Sequence, residues 1–441
     1  MFSSGVIVAP ATAVGGALAV IRISGDGSIA LCDRFFKGRK PLTDCSSHTI
    51  HYGNFMDGER VVDDVVVALF HAPHSYTGEQ SVEISVHGSR YIVTTILELL
   101  CKGGARMAEP GEFSARAFAA GRIDLSQAEA VADIIAADSQ AAHLIAATQM
   151  RGCYSDTLNS LRDKLIELAS LLELELDFGE EDVEFADRTR LNDLLENTMR
   201  VVATLKESFH TGNAIRNGVS VAIVGAPNVG KSTLLNRLIG DDRAMVSDIA
   251  GTTRDTIEES ITIEGISFRF IDTAGLRTTD DTLEQMGIVR TLKAVGQAQI
   301  IISMAEPNGS FEDIDTADNQ TVIRVINKCD TTDTQSVADV LYISARNNSG
   351  IDNLLTALRN CVDTTALYRG EPVVSNLRHY ESLCHAFDAL TAAQSALQNS
   401  VSSDLLAEDI RTAIHHIGCI TGSITSDTIL HSIFSSFCIG K

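Results

Sequence analysis

Gly225-Ala226-Pro227-Asn228-Val229-Gly230-Lys231-Ser232 decides how this chain is read. The apolar run Val219 to Val224 before it reads as a buried strand, and Ser232 to Ile239 after it as the opening of a helix. A Gly-rich loop between strand and helix points several backbone N–H groups at phosphate oxygens, with the positive end of the helix behind them. Gly225 and Gly230 accept backbone angles that bulkier residues resist. Lys231 is expected to reach the β- and γ-phosphates of a nucleotide, and the Ser232 hydroxyl to ligate Mg²⁺. The alternative is a Gly-rich strand–helix turn without phosphate chemistry, and context decides between them.

Downstream loops supply that context. Ile266 to Ile271 reads as a strand running into Asp272-Thr273-Ala274-Gly275. An Asp there holds the second side of a Mg²⁺ shell through water, and the Gly offers its N–H to a γ-phosphate. Val322 to Ile326 runs into Asn327-Lys328-Cys329-Asp330. A carboxylate at Asp330 accepts two hydrogen bonds from the guanine edge, a donor pair that adenine lacks, so the pattern selects GTP. Leu341 to Ile343 leads into Ser344-Ala345-Arg346, a loop placed to cover the base. In Gly251-Thr252-Thr253-Arg254-Asp255, Thr253 is the expected switch residue, giving its hydroxyl to Mg²⁺ while the γ-phosphate is present. These strand-end loops, in this order, resemble the guanine-nucleotide signature of the small GTPase superfamily.

The residue that orients water is less plain. Ras-like enzymes place a Gln directly after Asp-x-x-Gly, and here that position is Leu276. Glu284 lies shortly downstream; from position alone a solvated helix-face carboxylate is the better reading. Arg277 reads equally as an arginine finger or a surface charge. Asn228 brings a side-chain oxygen to the phosphate loop, where a monovalent cation can stand in for an arginine.

Composition sets the outer limits. The chain has 441 residues, enough for two to four domains, with 44% hydrophobic residues and mixed charge. It contains no apolar run long enough for a bilayer, and Met1-Phe2-Ser3-Ser4 lacks the basic start of a secretory signal. Nine cysteines, scattered without a Cys-x-x-Cys pair, suit a reducing cytoplasm and argue against a disulfide framework or zinc site. A net charge of −23 argues against direct nucleic-acid affinity, which normally needs a basic footprint. Any RNA partner must meet a local basic patch or be recruited by another protein.

The expected fold class is multidomain α/β plus all-α. Residues 1–120 mix short β-like runs (Val6 to Ala9, Ala17 to Ile23, Val61 to Phe70, Val82 to Val86) with a helix from Tyr91 to Leu100. Residues 121–211 are helical in pattern, with Leu158, Leu161, Leu165, Leu168, Leu172 and Leu176 forming one stripe and the acidic run Glu180 to Glu184 breaking it. The Ras-like P-loop G domain is expected at 212–372. Residues 373–441 return to helical periodicity, as in Leu383, Phe387, Leu390 and Ala393, which makes the G domain an insertion into one helical domain. The chain ends Cys438-Ile439-Gly440-Lys441. That ending mimics a prenylation box, for which a terminal Lys is a poor signal. It reads otherwise as a thiol delivered to an active site or as a frayed tail with an incidental Cys.

Several further segments carry a more specific resemblance. They are Ala19-Val20-Ile21-Arg22-Ile23-Ser24-Gly25, Ser75-Tyr76-Thr77-Gly78-Glu79, Glu83 through His87-Gly88, Pro110-Gly111-Glu112-Phe113-Ser114 and Asp124-Leu125-Ser126-Gln127-Ala128-Glu129-Ala130. With Gly225 to Ser232, Gly251 to Asp255, Asp272 to Arg277 and the tail from Phe434 to Lys441, the chain resembles, end to end, the MnmE (TrmE) family of tRNA-modification GTPases. Other GTPases share the middle motifs, but not the N-terminal ones or the Cys-x-Gly-Lys ending. A ribosome-assembly GTPase and a GTP-regulated RNA-binding scaffold are the alternatives.

The resemblance implies a cytoplasmic homodimer joined through N-terminal α+β, folate-binding-like domains. It implies a reduced folate (a tetrahydrofolate derivative) as one-carbon donor near that interface, and a heterotetramer with the FAD-binding, NADH-using partner MnmG (GidA). Together the pair would add an aminomethyl or carboxymethylaminomethyl group to the wobble uridine of certain tRNAs. By matching motifs, Arg22, Glu83, Arg122 and Lys441 are the folate-contacting candidates. Arg122 stands where the family usually has Lys, which keeps the charge but changes the geometry, and His87-Gly88-Ser89 replaces a more usual His-Gly-Gly. In that family K⁺ takes the arginine-finger role and pairs the G domains, and the resemblance maps its ligands to Asn228, Ser247, Thr252 and the Ile249 carbonyl. Glu284 matches the water-activating glutamate, and Cys438 a position important for modification. The implied nucleotide contacts are Asn228, Val229, Gly230, Lys231, Ser232 and Thr233, then Ser247, Asp248, Ile249, Ala250, Gly251, Thr252 and Thr253. Asp272, Thr273, Ala274, Gly275, Asn327, Lys328, Asp330, Ser344, Ala345 and Arg346 complete them. Mg²⁺ would be held by Ser232 and Thr253.

Overall fold

The structure, a computed structural model, describes residues 5–177, 188–242, 259–271, 293–317, 319–330, 337, 339–399, 403–435 and 437–440. The chain divides into two compact units, one of Met1–Ala132, Gln149–Leu194 and Ala389–Lys441, the other of Asp133–Thr148 and Leu195–Asp388. It is a mixed α/β protein with a large helical part.

The first unit contains a seven-stranded sheet built from β1 (Ile7–Pro10), β2 (Leu18–Ser24), β3 (Phe36–Lys37), β4 (Thr49–Asp57), β5 (Arg60–Phe70), β6 (Ser81–His87) and β7 (Arg106–Met107). The order is β3-β4-β5-β6-β2-β1-β7, antiparallel except where β1 runs parallel to β7. Period-two alternation sends Ile21, Ile23, Val65, Val67, Val82, Ile84 and Val86 into a core under α1 (Ser28–Asp33) and α2 (Arg90–Lys102). The opposite face carries Arg22, Glu83, Ala68 and Ile50, register partners in turn across β2, β6, β5 and β4, with Val66 and Tyr52 paired in the next row. Next come α3 (Glu112–Ala119), α4 (Leu125–Ala136), α5 (Gln140–Met150), α6 (Cys153–Asp177) and α7 (Arg188–Asn217). The leucine stripe lies on α6, where Leu158, Leu161, Leu165, Leu168 and Leu172 are all buried.

The second unit is built on a six-stranded sheet. Its strands are β8 (Val219–Gly225), β9 (Glu259–Ile263), β10 (Ile266–Phe270), β11 (Ile300–Ala305), β12 (Thr321–Ile326) and β13 (Val340–Tyr342), in the order β13-β12-β11-β8-β10-β9. All neighbours are parallel except β9 and β10, a hairpin closed by Glu264 and Gly265. β11 is buried along its length, as expected for a parallel strand covered on both faces. Around this sheet lie α8 (Lys231–Asp242), α9 (Ile351–Asn360) and α10 (Thr365–Tyr368). Ala141, Ala142 and Ile145 of α5 belong to the same core as Ile261, Ile263 and Ile266. The chain closes with α11 (Leu377–Gln398), α12 (Ser403–Thr421) and α13 (Asp427–Ser435). α12 lies against α6, with Arg411 donating to Glu173 at 2.6 Å.

Candidate functional site

The carboxyl ends of β8 and β12, with the segment after β13, converge in the second unit. β8 ends at Gly225, whose φ of +151° and closeness to Met304 leave no room for a side chain: a Cβ would lie 2.3 Å from the Met304 carbonyl oxygen. Asn228 has φ +64° and Gly230 φ +100°, so the loop turns through left-handed positions that bring successive N–H groups to one side. A Cβ on Gly230 would meet the Asn327 side chain at 2.3 Å. Lys231 opens α8 and curls back, its Nζ donating to the carbonyls of Gly225 at 2.5 Å and Ala226 at 3.0 Å. Burial pushes the Lys231 amine below the usual lysine range, opposed by the charge of Glu312. This Gly-containing loop with a lysine at its mouth has the kind of donors that a nucleotide's phosphates need. Asn228 and Thr233 are exposed, Val229 is buried and Ser232 half-buried.

The loops that follow β12 and β13 are locked to the loop that follows β8 by one side chain. Asn327 is 3% exposed; its Nδ2 donates to the Val229 carbonyl at 2.9 Å, and its Oδ1 accepts from the Ala345 N–H at 3.0 Å. Lys328 sits at φ +64° and pairs with Glu306. Ser344 Oγ donates to Asp330 Oδ1 at 2.7 Å, and that bond, with a backbone N–H, holds the Asp330 carboxyl below the usual aspartate range. An exposed, ionised carboxylate is therefore presented at the loop's edge. Arg346 is exposed on the neighbouring loop. Arg237 of α8 was not singled out from the sequence. It donates to the Ala345 and Arg346 carbonyls at 3.4 and 3.2 Å, bracing the loop from a helix turn that no motif marks.

A second cluster lies in the first unit. Arg22 donates from Nε to Glu83 Oε1 at 2.9 Å and from Nη1 to the Gly440 carbonyl at 3.2 Å. Its guanidinium lies 5.3 Å from the Tyr76 ring centre and 5.8 Å from that of Phe113. Gly440 has φ +95° and fits so closely that a Cβ would lie 2.3 Å from the Pro10 carbonyl oxygen. Phe434 and Phe437 are buried with Ala115, Leu125 and Ala128, so through residue 440 the tail is docked rather than frayed, with Cys438 exposed on it. Arg122 is placed differently: its stem lies 3.3 Å from a Cβ position on Gly78, and it lines an open cavity of about 370 Å³ with Gln127, Asn159 and Gly422. Gly88 touches the Gly16 backbone, and Ser89 stands at the N-cap of α2.

Glu284, Ser247, Asp248, Ile249, Ala250, Gly251, Thr252, Thr253, Asp272, Thr273, Ala274, Gly275 and Lys441 lie outside the described residues. No helix among the described residues is long and apolar enough to cross a membrane.

The family model described as the MnmE helical domain matches residues 125–438, and that described as the GTP-binding protein TrmE N-terminus matches residues 6–122. Among curated relatives, the tRNA modification GTPase MnmE of Flavobacterium johnsoniae is 47% identical, covering 100% of both chains. That of Flavobacterium psychrophilum is 47% identical and that of Bacteroides thetaiotaomicron 45%, each over 99% of both chains. Matched from the first strand to the docked tail by the two models together and by relatives over their full length, the chain belongs to the MnmE (TrmE) family.

Proposed function

We propose that this chain is a K⁺-activated GTPase that acts with an FAD-dependent partner of the MnmG (GidA) type. The pair adds an aminomethyl or carboxymethylaminomethyl group to the wobble uridine of certain tRNAs, with the carbon drawn from a reduced folate. The observation that carries the reading is the joining of a phosphate cradle to a guanine-reading carboxylate through Asn327. The curated relatives bear the name tRNA modification GTPase over their full length, which favours this reading over ribosome assembly or scaffolding.

In this reading the protein is cytoplasmic, and its layout is a folate-binding and dimerisation domain at 1–120, helical parts at 121–211 and 373–441, and a G domain at 212–372. The backbone N–H groups from Asn228 to Thr233 and the Lys231 amine hold the phosphates. Ser232 and Thr253 ligate Mg²⁺, which neutralises phosphate charge. Asn228, Ser247, Ile249 and Thr252 hold K⁺, whose charge stands in for an arginine finger. Glu284 orients the attacking water, while Asp330 reads guanine and the Ser344–Arg346 loop covers the base. Ile50 (72% exposed), Tyr52 (69%) and Leu18 (66%) form an apolar outer sheet face, which supports a homodimer joined there. Arg22 and Glu83 share that face and would hold the folate together with Arg122 and Lys441; Cys438 acts at the modification step.

The test is GTP hydrolysis in K⁺ against Na⁺ at equal ionic strength, followed by tRNA modification with the flavoprotein. Strong stimulation by K⁺ alone is expected. Equal slow rates in both salts would remove the cation site.

A further inference from the structure

We propose that the β9–β10 turn, clamped onto the start of α5, is the joint through which the state of the nucleotide site reaches the helical segment. The inference rests on the GTPase reading above and deepens it. Ile263 pairs with Ile266 across a two-residue loop in which Glu264 has φ +46° and Gly265 φ +80°. Two left-handed residues in a two-residue loop make a stiff type I′ hairpin, whose twist matches its strands. The Gly265 carbonyl accepts from the Ala141 N–H at 2.9 Å, in the first turn of α5. A Cβ on Gly265 would lie 2.9 Å from Gln140 Oε1 and 3.0 Å from Gln140 Cβ, so the turn and the helix start are in direct contact. Ser267 Oγ reaches Asp138 Oδ2 at 3.5 Å, just before the helix.

The hairpin's place in the chain gives this contact its meaning. Its strands follow and precede, in sequence, the two candidate switch segments, Ser247–Thr253 and Asp272–Gly275. β10 also pairs with β8, which carries the phosphate loop at its far end. A shift of either switch segment that pulls on β9 or β10 is therefore delivered to the turn, and from the turn to Ala141. The receiving end is built to move as a piece. Ala141, Ala142 and Ile145 are buried in the hairpin's own core, and Arg216 at the end of α7 holds Asp133 of α4 at 2.6 Å. Between these ties lies a cavity of about 190 Å³, lined by Ala136, Ala137, Ala142, Ile145 and Ala146 beside the Asp133–Arg216 pair. Asn217 and Ser375 complete its wall, and it opens to solvent at the exposed Ala136. Short alanine side chains facing this cleft let one helix slide on another without forcing large side chains into overlap.

The test is hydrogen exchange on the full chain in K⁺ buffer, loaded with GDP or with a non-hydrolysable GTP analogue. The amides of residues 140–146 are expected to change exchange rate by about fivefold or more between the two states, the lower range of ordinary coupling between sites. Gly265→Asn retains the left-handed turn but wedges a side chain against Gln140. It is expected to reduce the change at 140–146 to under about twofold while the phosphate-loop amides respond as before. Gln140→Ala, which keeps a good helix former at the contact, is expected to weaken the response in the same direction, so the test survives poor folding of the glycine variant. A phosphate loop that responds while residues 140–146 do not would overturn the joint alone. A phosphate loop indifferent to both nucleotides would overturn the GTPase reading, and the joint with it.

Discussion

Asn327→Ala isolates the link between phosphate loop and base loop. The side chain is 3% exposed and makes one bond to each loop, 2.9 Å to the Val229 carbonyl and 3.0 Å from the Ala345 N–H. Each bond is worth about 1 kcal/mol net, and a buried group left unpaired costs about 1–3 kcal/mol. A carbonyl with a lone pair left unfilled is tolerated more readily than an orphaned N–H, so the full penalty falls mainly on the Ala345 N–H. The sum is about 2–4 kcal/mol, divided between the stability of this unit and the pre-organisation of the nucleotide site. Half of it appearing in binding would weaken GDP by about five- to thirtyfold, since 1.4 kcal/mol is tenfold. Titration with a fluorescent guanine nucleotide and thermal unfolding measure the two parts. Asn327→Asp is the control: it keeps an acceptor for Ala345 but sets a carboxylate oxygen against the Val229 carbonyl, so it should recover only the base-loop half. An alanine variant with GDP affinity within about twofold of wild type and an unchanged unfolding midpoint would refute the brace, because no arrangement that keeps both bonds survives the truncation.

Glu284→Ala is expected to remove most hydrolysis, by about a hundredfold or more, while sparing nucleotide binding; normal K⁺-stimulated turnover would sink that assignment. Asn228→Ala should abolish the advantage of K⁺ over Na⁺ with GDP affinity preserved, and a retained K⁺ response in steady-state assays would place the cation elsewhere. Glu112→Gln addresses the first unit. Burial pushes the Glu112 carboxyl up, but hydrogen bonds from Arg106, the Glu109 N–H and Arg116 outweigh it, and the group sits below the usual glutamate range. The unfolded chain therefore takes up the proton first as pH falls. The stabilisation is present at neutral pH and is lost as pH drops below the ordinary glutamate value through the folded one. The variant should lose about 3 kcal/mol at pH 7, the low end for breaking a buried pair because Arg106 is part-exposed. It should also show a flatter acid limb in unfolding curves recorded against pH; an unchanged acid limb would assign that limb to other carboxylates.

What was legible in the sequence follows from which forces act locally. The turn from β8 into α8 is legible because its glycines are required where they stand: Gly225 and Gly230 press on Met304 and Asn327, and no other residue fits. The α6 stripe could be read because one helix face is buried along its length. β4 is hard to read from sequence because its apolar alternation is inverted. Ile50 and Tyr52 point outward, and the inward positions include Gly53. α5 was read only as part of a continuous helical section. Its alanine-rich sequence gives no sharp stripe, and beside the buried Ala141, Ala142 and Ile145 it is held by a backbone hydrogen bond from Ala141 to Gly265, which leaves no trace in residue type. Arg237 escaped for a related reason: it binds carbonyls, and any neighbouring residue supplies those.

The docked tail shows how such backbone contacts bear on function. Cys438 lies in a segment whose preceding phenylalanines are buried and whose following glycine packs on Pro10 and Ala11, so the thiol is carried on a fixed base although it is itself exposed. The same Arg22 that pairs with Glu83 also holds the Gly440 carbonyl. A ligand carboxylate drawn to Arg22 would compete with both partners, because the guanidinium has a fixed fork of donors and cannot lose its charge. A ligand at Arg22 and Glu83 would therefore have to accommodate the tail or displace it, which would tie the position of the Cys438 thiol to that occupancy. Gly440→Ala separates this tie from simple burial of the tail. It strains a position at φ +95° and drives a Cβ to within 2.3 Å of the Pro10 oxygen while leaving Phe434 and Phe437 in place. The Cys438 thiol of that variant should react faster with a soluble disulfide than in wild type, and an identical reaction rate would show that the phenylalanines alone set the thiol.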